Sequence, residues 1–117
     1  MAKQNTIKKL KPCPQLEGEI TLPGDKSISH RAAILNSLAK GKARIANFAP
    51  GKDCWATIRC LRALGAQIWK GESRDFPVLV VSGAGKKGLK EAPDVLNAED
   101  SATTMRLLSG LLSSQPF

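Results

Sequence analysis

"LPGDKSISHRA", residues 22–32, places a lysine, two serines, an arginine and the only histidine of the chain directly after a glycine and at the start of an apolar periodicity. From Ile28 the residues Ala32, Leu35 and Ala39 recur at spacings of four, three and four, with Leu38 alongside and Gly41 as a candidate C-terminal cap, which predicts a helix over residues 28–39. A helix start leaves backbone N–H groups unpaired and carries the positive end of the macrodipole, so it attracts anions, phosphate among them. Lys26 adds a point charge there, Ser27 and Ser29 add hydroxyls, and Arg31 adds a planar fork that grips a carboxylate or phosphate at two points. The plainer alternative is a helix capped by Asp25 or Ser27 with a solvated basic first turn. Cations gathered where the dipole disfavours them point instead to a bound anion. A nucleotide-hydrolase P-loop is excluded, because Asp25 rather than glycine precedes Lys26. His30 is read as packed or solvated in preference to a general base.

Outward from this stretch, the elements alternate. Residues 17–22 (EGEITL) are short, alternating and β-branched and end at Pro23-Gly24, as a strand entering a turn would. Residues 42–48 (KARIANF) predict a strand. Asp53 is the expected cap of a second helix carrying Trp55, Ile58, Leu61 and Leu64, with Gly65 ending it. Residues 67–70 and 77–82 predict two further strands, antiparallel because no helix-length segment separates them. After a glycine- and lysine-rich loop over 83–93, an extended piece at 95–96 and a polar turn at 97–100 precede a helix over 103–112, capped by Ser101 or Asp100. The expected division is therefore a basic tail or first edge strand (1–15), a β-α-β-α-β-β unit (16–83) and the start of a second unit (84–117). That second unit ends on an apolar helix with nothing after it to pack against, which predicts an incomplete fold.

Composition limits the partners. Eighteen Lys and Arg against ten Asp and Glu leave a formal charge of +8, which favours anionic partners. Aromatics make up only 4% and tyrosine is absent, so base stacking has little support and nucleic acid is not expected. Lys86, Lys87 and Lys90 read as a solvated loop. Cys13, Cys54 and Cys60 form an odd set without a CxxC pair, so neither a disulfide framework nor a zinc site is expected. Cys54 and Cys60 do not share a helix face and read as core or surface thiols. With no apolar signal segment and no membrane-length apolar run, a soluble cytoplasmic chain is expected, a plastid origin staying open.

Three stretches resemble one family. "LPGDKSISHRA" resembles the N-terminal signature of the 5-enolpyruvylshikimate-3-phosphate (EPSP) synthases, "DCWATIRCLRALGAQI" resembles their second helix and following strand, and "NAEDSATTMRLLSGLL" is similar to their LDAGNSGTTMRLLSGLL segment. The likeness covers residues 16–117, with the motifs in the family's order. The related UDP-N-acetylglucosamine enolpyruvyl transferases typically carry a lysine-asparagine pair in place of the first run.

The resemblance implies an α/β architecture, the inside-out α/β barrel of two lobes, each made of three β-α-β-α-β-β units. It implies transfer of the enolpyruvyl group of phosphoenolpyruvate to the 5-hydroxyl of shikimate 3-phosphate through a tetrahedral adduct that expels phosphate, with no metal and no organic cofactor. By the same likeness Lys26 is the catalytic residue at phosphoenolpyruvate, while Ser27 and Arg31 hold shikimate 3-phosphate. The family's acid and base carboxylates lie in its C-terminal half, so a chain holding roughly a quarter of the enzyme is expected to be inactive without a C-terminal remainder. A truncated product, a fragment and one piece of a split protein are all compatible with that.

Two departures from the pattern matter. Glu99 and Asp100 put carboxylates where the family has glycine and asparagine, so either they repel an anion or Asp100 caps the helix while Glu99 meets water. Ala102 replaces a glycine in the phosphoenolpyruvate and glyphosate region, which predicts reduced glyphosate sensitivity. A noncatalytic remnant that binds anions or a partner chain is the alternative function.

Overall fold

The computed structural model describes residues 7–117. Six elements follow one another: α1 (Lys26–Leu38), β1 (Lys40–Ala46), α2 (Lys52–Ala63), β2 (Gln67–Lys70), β3 (Val78–Ala84) and α3 (Ala102–Leu112). The strands form one antiparallel sheet in the order β1-β3-β2, with Ile45 opposite Leu79 and Ile68 opposite Val81. Cross-strand partners project to the same side. Ile45, Leu79, Val81 and Ile68 therefore make one apolar face, while Arg44, Val80 and Trp69 lie on the other.

All three helices contribute to the core over that apolar face. α1 lies against β1 and β3, and α2 packs between α1 and α3. Phe48, Ile58, Leu61, Leu64, Leu79 and Val81 are fully buried, Leu89 and Leu108 join them, and Phe48 meets Trp55 edge to face at 5.7 Å. Gly65 ends α2 as expected. Its φ is +86°, its N–H bonds the Arg62 carbonyl at 2.9 Å, and Ala66 N–H bonds the Leu61 carbonyl at 2.9 Å, the paired closure of a Schellman motif. Two other glycines are required by close approach rather than by turning. A Cβ on Gly24 would collide with the Asn47 carbonyl, and one on Gly83 with the Asn36 and Ala39 carbonyls at the end of α1.

Several expectations need correction. Residues 17–22 form no strand: residues 7–25 run without regular pairing, exposed as far as Pro23, with Leu22 tied to the chain after β1 by Asn47 Nδ2 donating to its carbonyl at 3.1 Å. Alternation makes a segment able to pair, but a strand exists only where a neighbouring edge takes its hydrogen bonds. Residues 5–6 of a possible first edge strand lie outside the described residues, and residues 7–10 are not a strand. Residues 95–96 are likewise unpaired. Gly41 does not cap α1. Ala39 does, in extended conformation, because Lys40 already pairs with Ala84 and the chain enters β1 without a left-handed turn. Asp53 does not cap α2 either. Gly51 holds that position, and Asp53 lies inside the first turn.

Candidate functional site

The Asp25 carboxylate caps α1 by accepting the Ile28 N–H at 2.7 Å, so Asp25 rather than Ser27 fills that role. An acid there satisfies an orphan donor and suits the positive helix end. Ser29 Oγ donates to the Asp25 carbonyl at 2.7 Å and accepts the Ala49 N–H at 3.0 Å, which pins the turn to the chain after β1. With the cap made by Asp25, the side chains of Lys26, Ser27 and Arg31 stay at the surface. Arg31 Nη1 donates to the Ser27 carbonyl at 3.2 Å, leaving most of its fork open.

Lys26 does not stand alone. Its ammonium pairs with the Asp53 carboxylate in the first turn of α2, with both side chains partly open to solvent. The hydrogen bond to Asp53 raises the Lys26 pKa against the opposing effect of desolvation, and the same bond lowers that of Asp53. Cys54 Sγ also donates to the Lys26 carbonyl at 3.6 Å, so the N-termini of α1 and α2 meet.

The third helix joins them. Ser101 caps α3, its Oγ accepting the Thr104 N–H at 3.1 Å, and Thr104 Oγ1 donates to the Asp53 carbonyl at 3.2 Å. Three helix N-termini thus converge at one end of the molecule. Helix N-termini carry positive dipole ends that suit negative charge, and the Lys26 ammonium beside them is already paired with Asp53. A small recess of ≈ 80 Å³, lined by Lys52, Asp53, Ala56, Glu99, Asp100 and Ser101, lies between α2 and the turn before α3.

In that turn Asp100 is exposed and is not the cap, and Ala102 is the exposed first residue of α3. Glu99 has φ +50° and pairs with Arg59 of α2 at 2.6 Å. Its charge is therefore directed at a cation rather than free in solvent. His30 is completely buried, with Nδ1 2.7 Å from Thr57 Oγ1, so it presents no face to a substrate. Cys54 and Cys60 are both buried, and burial raises both thiol pKa values. A larger groove of ≈ 550 Å³ runs between the C-terminal halves of α1 and α3, past Leu35, Leu38 and Leu111, away from all of these groups.

The sequence profile of the family described as EPSP synthase (3-phosphoshikimate 1-carboxyvinyltransferase) matches residues 10–117. The chain belongs to the EPSP synthase family. A 3-phosphoshikimate 1-carboxyvinyltransferase of Desulforudis audaxviator is 52% identical over 109 residues, covering 93% of this chain and 25% of that relative. One from Chloroflexus aggregans is 48% identical over 103 residues, covering 88% and 23%. In three dimensions the chain is similar to an EPSP synthase from Acinetobacter baumannii, with TM-score 0.77, 39% identity, and coverage of 86% of this chain and 22% of the other. The fold is accordingly part of the enolpyruvyl transferase architecture. The chain spans about a quarter of the length of the EPSP synthases it matches.

Four residues that build this end escaped sequence reasoning in that role: Asp53 as the partner of Lys26, and Thr57, Ser101 and Thr104 as a buried hydroxyl cluster. A signal for Thr57 was available. It lies on the stripe Cys54, Thr57, Leu61 of α2, continued by Leu64 at the C-cap, where a hydroxyl on a core-facing position demands a polar partner.

Proposed function

We propose that this chain is the N-terminal part of an enzyme that transfers the enolpyruvyl group of phosphoenolpyruvate to the 5-hydroxyl of shikimate 3-phosphate. Lys26 neutralises charge at phosphoenolpyruvate, and Ser27 and Arg31 hold shikimate 3-phosphate. The 5-hydroxyl oxygen bonds to C2 of phosphoenolpyruvate, giving up its proton to a base while an acid protonates C3, and the tetrahedral adduct then loses phosphate from C2 and a proton from the C3 methyl to restore the double bond. The contribution of this chain is positioning and charge stabilisation; the acid and base carboxylates come from a C-terminal remainder, the expected partner. No metal or organic cofactor is required by this chemistry.

The observation that carries the proposal is the meeting of the N-termini of α1, α2 and α3 around Lys26, in a chain of this family. The Arg59 pairing of Glu99 favours it over a noncatalytic remnant, since one of the two unusual carboxylates is compensated. Division into a first unit over 16–83 and the opening of a second over 84–117 belongs to the same proposal, supported by the serine-capped start of α3. Among the described residues no helix is long and apolar enough to cross a membrane, and a cytoplasmic site suits soluble phosphorylated substrates.

Phosphate release from shikimate 3-phosphate plus phosphoenolpyruvate tests this, with the chain alone and mixed with the C-terminal part of an EPSP synthase. Release only in the mixture is expected. Release by the chain alone refutes the need for a remainder. No release from an assembled mixture makes Asp100 and Glu99 the obstacle and the noncatalytic reading correct. The methyl of Ala102 narrows the glyphosate region, so Ala102→Gly in the active mixture is expected to strengthen inhibition; equal inhibition removes that role.

A further inference from the structure

His30 is the only histidine of the sequence, and it starts a buried chain of polar groups. Its Nδ1 is 2.7 Å from Thr57 Oγ1, that oxygen is 2.7 Å from Thr104 Oγ1, and Thr104 Oγ1 is 2.7 Å from Ser101 Oγ. Three hydroxyls have three protons to donate, and the acceptors determine where each goes. A carbonyl only accepts, so Thr104 donates to Asp53 O at 3.2 Å. Thr104 Oγ1 then accepts from both Thr57 and Ser101, while Ser101 accepts the Thr104 backbone N–H. Thr57 has no proton left for the imidazole. With all of these contacts kept as hydrogen bonds, the arrangement places the proton on Nδ1 of His30 and leaves Nε2 a lone pair, buried with no partner among the described residues.

We propose that His30, held as the Nδ1–H tautomer, is a positioning residue: the relay from His30 through Thr57 and Thr104 to Ser101 ties α1 to the N-termini of α2 and α3, keeps Lys26 and Arg31 aligned for an anion, and releases them when Nε2 is protonated. Only the ligand half of this rests on the function proposed above; the tautomer and the relay stand on the hydrogen bonds alone. Protonation puts a charge into a site with no exposed atom and creates an N–H without an acceptor. Of the charged groups acting on the ring, Lys26 and Arg31 of α1 oppose the imidazolium and Asp53 of α2 favours it, while α3 offers only the hydroxyls of Ser101 and Thr104. Burial first, and Lys26 next, hold the His30 pKa below its usual value, in agreement with the neutral form.

A single histidine makes the test unambiguous. Nitrogen-15 NMR of the 117-residue chain at about pH 7.5, where a free imidazole is neutral, is expected to show Nδ1 protonated and Nε2 bare. Sulfate is the anion probe, since its charge is constant across this range. On acidification from about pH 8 to about pH 5.5, sulfate affinity is expected to fall as the ring titrates, whereas a group acting only through its charge would strengthen binding. His30→Asn places an amide donor where Nδ1 was and cannot titrate, so it is expected to keep the affinity at the upper pH and lose the acid step. His30→Leu removes the donor and is expected to weaken sulfate roughly tenfold; should it not fold, the asparagine variant and the native spectrum still decide. An Nε2–H tautomer, or sulfate binding that tightens on acidification, overturns the relay. The Nδ1–H tautomer with no sulfate binding overturns the anion site itself, and with it the alignment role of His30.

Discussion

Thr104→Val is the sharpest probe of how the three helix starts are held together. Valine keeps the shape of threonine but removes one oxygen, and that oxygen touches Thr57, Ser101 and the Asp53 carbonyl. Thr57 is 0% and Ser101 1% exposed, so neither hydroxyl can turn to water, and Thr57 can turn to His30 only by shifting the imidazole proton to Nε2, which moves the stripped donor without satisfying it. The Asp53 carbonyl, inside α2, keeps its helical N–H partner. Two buried donors are thus stripped at about 1–3 kcal/mol each, and allowing for the apolar gain of the methyl the net loss is about 3 kcal/mol. For a domain of this size that lowers Tm by roughly 10 °C. Urea unfolding followed by tryptophan fluorescence measures it, because Trp55 packs against Phe48 in the core. The m value should not change. A companion cycle with Thr57→Val sharpens the result: the double variant removes one of the stripped donors, so its loss falls short of the sum by about 1 kcal/mol or more. A Thr104→Val loss under about 1 kcal/mol at unchanged m refutes the reasoning, since it shows that the hydroxyls find other partners.

Gly83→Ala drives a methyl into the backbone carbonyls at the end of α1 and should cost about 1–3 kcal/mol, while Gly110→Ala, in open space on α3, should stabilise by about 1 kcal/mol in the same urea assay. Glu99→Gln breaks an exposed pair with Arg59 and should cost less than about 1 kcal/mol, with little salt dependence left afterwards. The depressed pKa of His30 means that the unfolded chain takes up its proton first as pH falls. Stability should therefore be flat above about pH 7 and decline as pH drops below about 6.5, by at most about 1.4 kcal/mol per pH unit, a slope that thermal melts of the native chain show and His30→Asn lacks. The lowered Asp53 pKa acts in a separate, more acid window, lost only as pH falls through its folded value below 3.8.

Local patterns carried most of the fold. The four-three-four spacing from Ile28 found α1, Gly65 marked the end of α2, and the absence of a helix-length segment between residues 70 and 77 made β2 and β3 antiparallel neighbours. Each of these depends on residues within a few positions of one another. What escaped depends on distant ones. Asp53 has the composition of a cap, but its carboxylate is drawn to Lys26, 27 positions earlier, and α2 starts from Gly51 instead. Thr57 and Thr104 are 47 positions apart, and neither spacing nor composition pairs them. Residues 17–22 show the converse, a strand pattern with no edge to receive it. In the candidate site, the basic cluster on α1 drew notice because its chemistry conflicts with its position, whereas Asp53, Thr57 and Thr104 look ordinary until the fold brings them beside it.

The order β1-β3-β2 leaves β1 and β2 as outer strands among the described residues, each with a row of backbone groups able to recruit a strand from another molecule. β1 answers with Lys40, Lys42 and Arg44 in seven residues, and β2 is four residues long and ends in Lys70. Lys42 also reaches over Trp69, covering the largest aromatic surface on the outer face of the sheet. Part of the +8 charge therefore serves as a guard against aggregation, and neutralising the β1 cations would be felt first in colloidal behaviour, before any effect on the meeting helix ends.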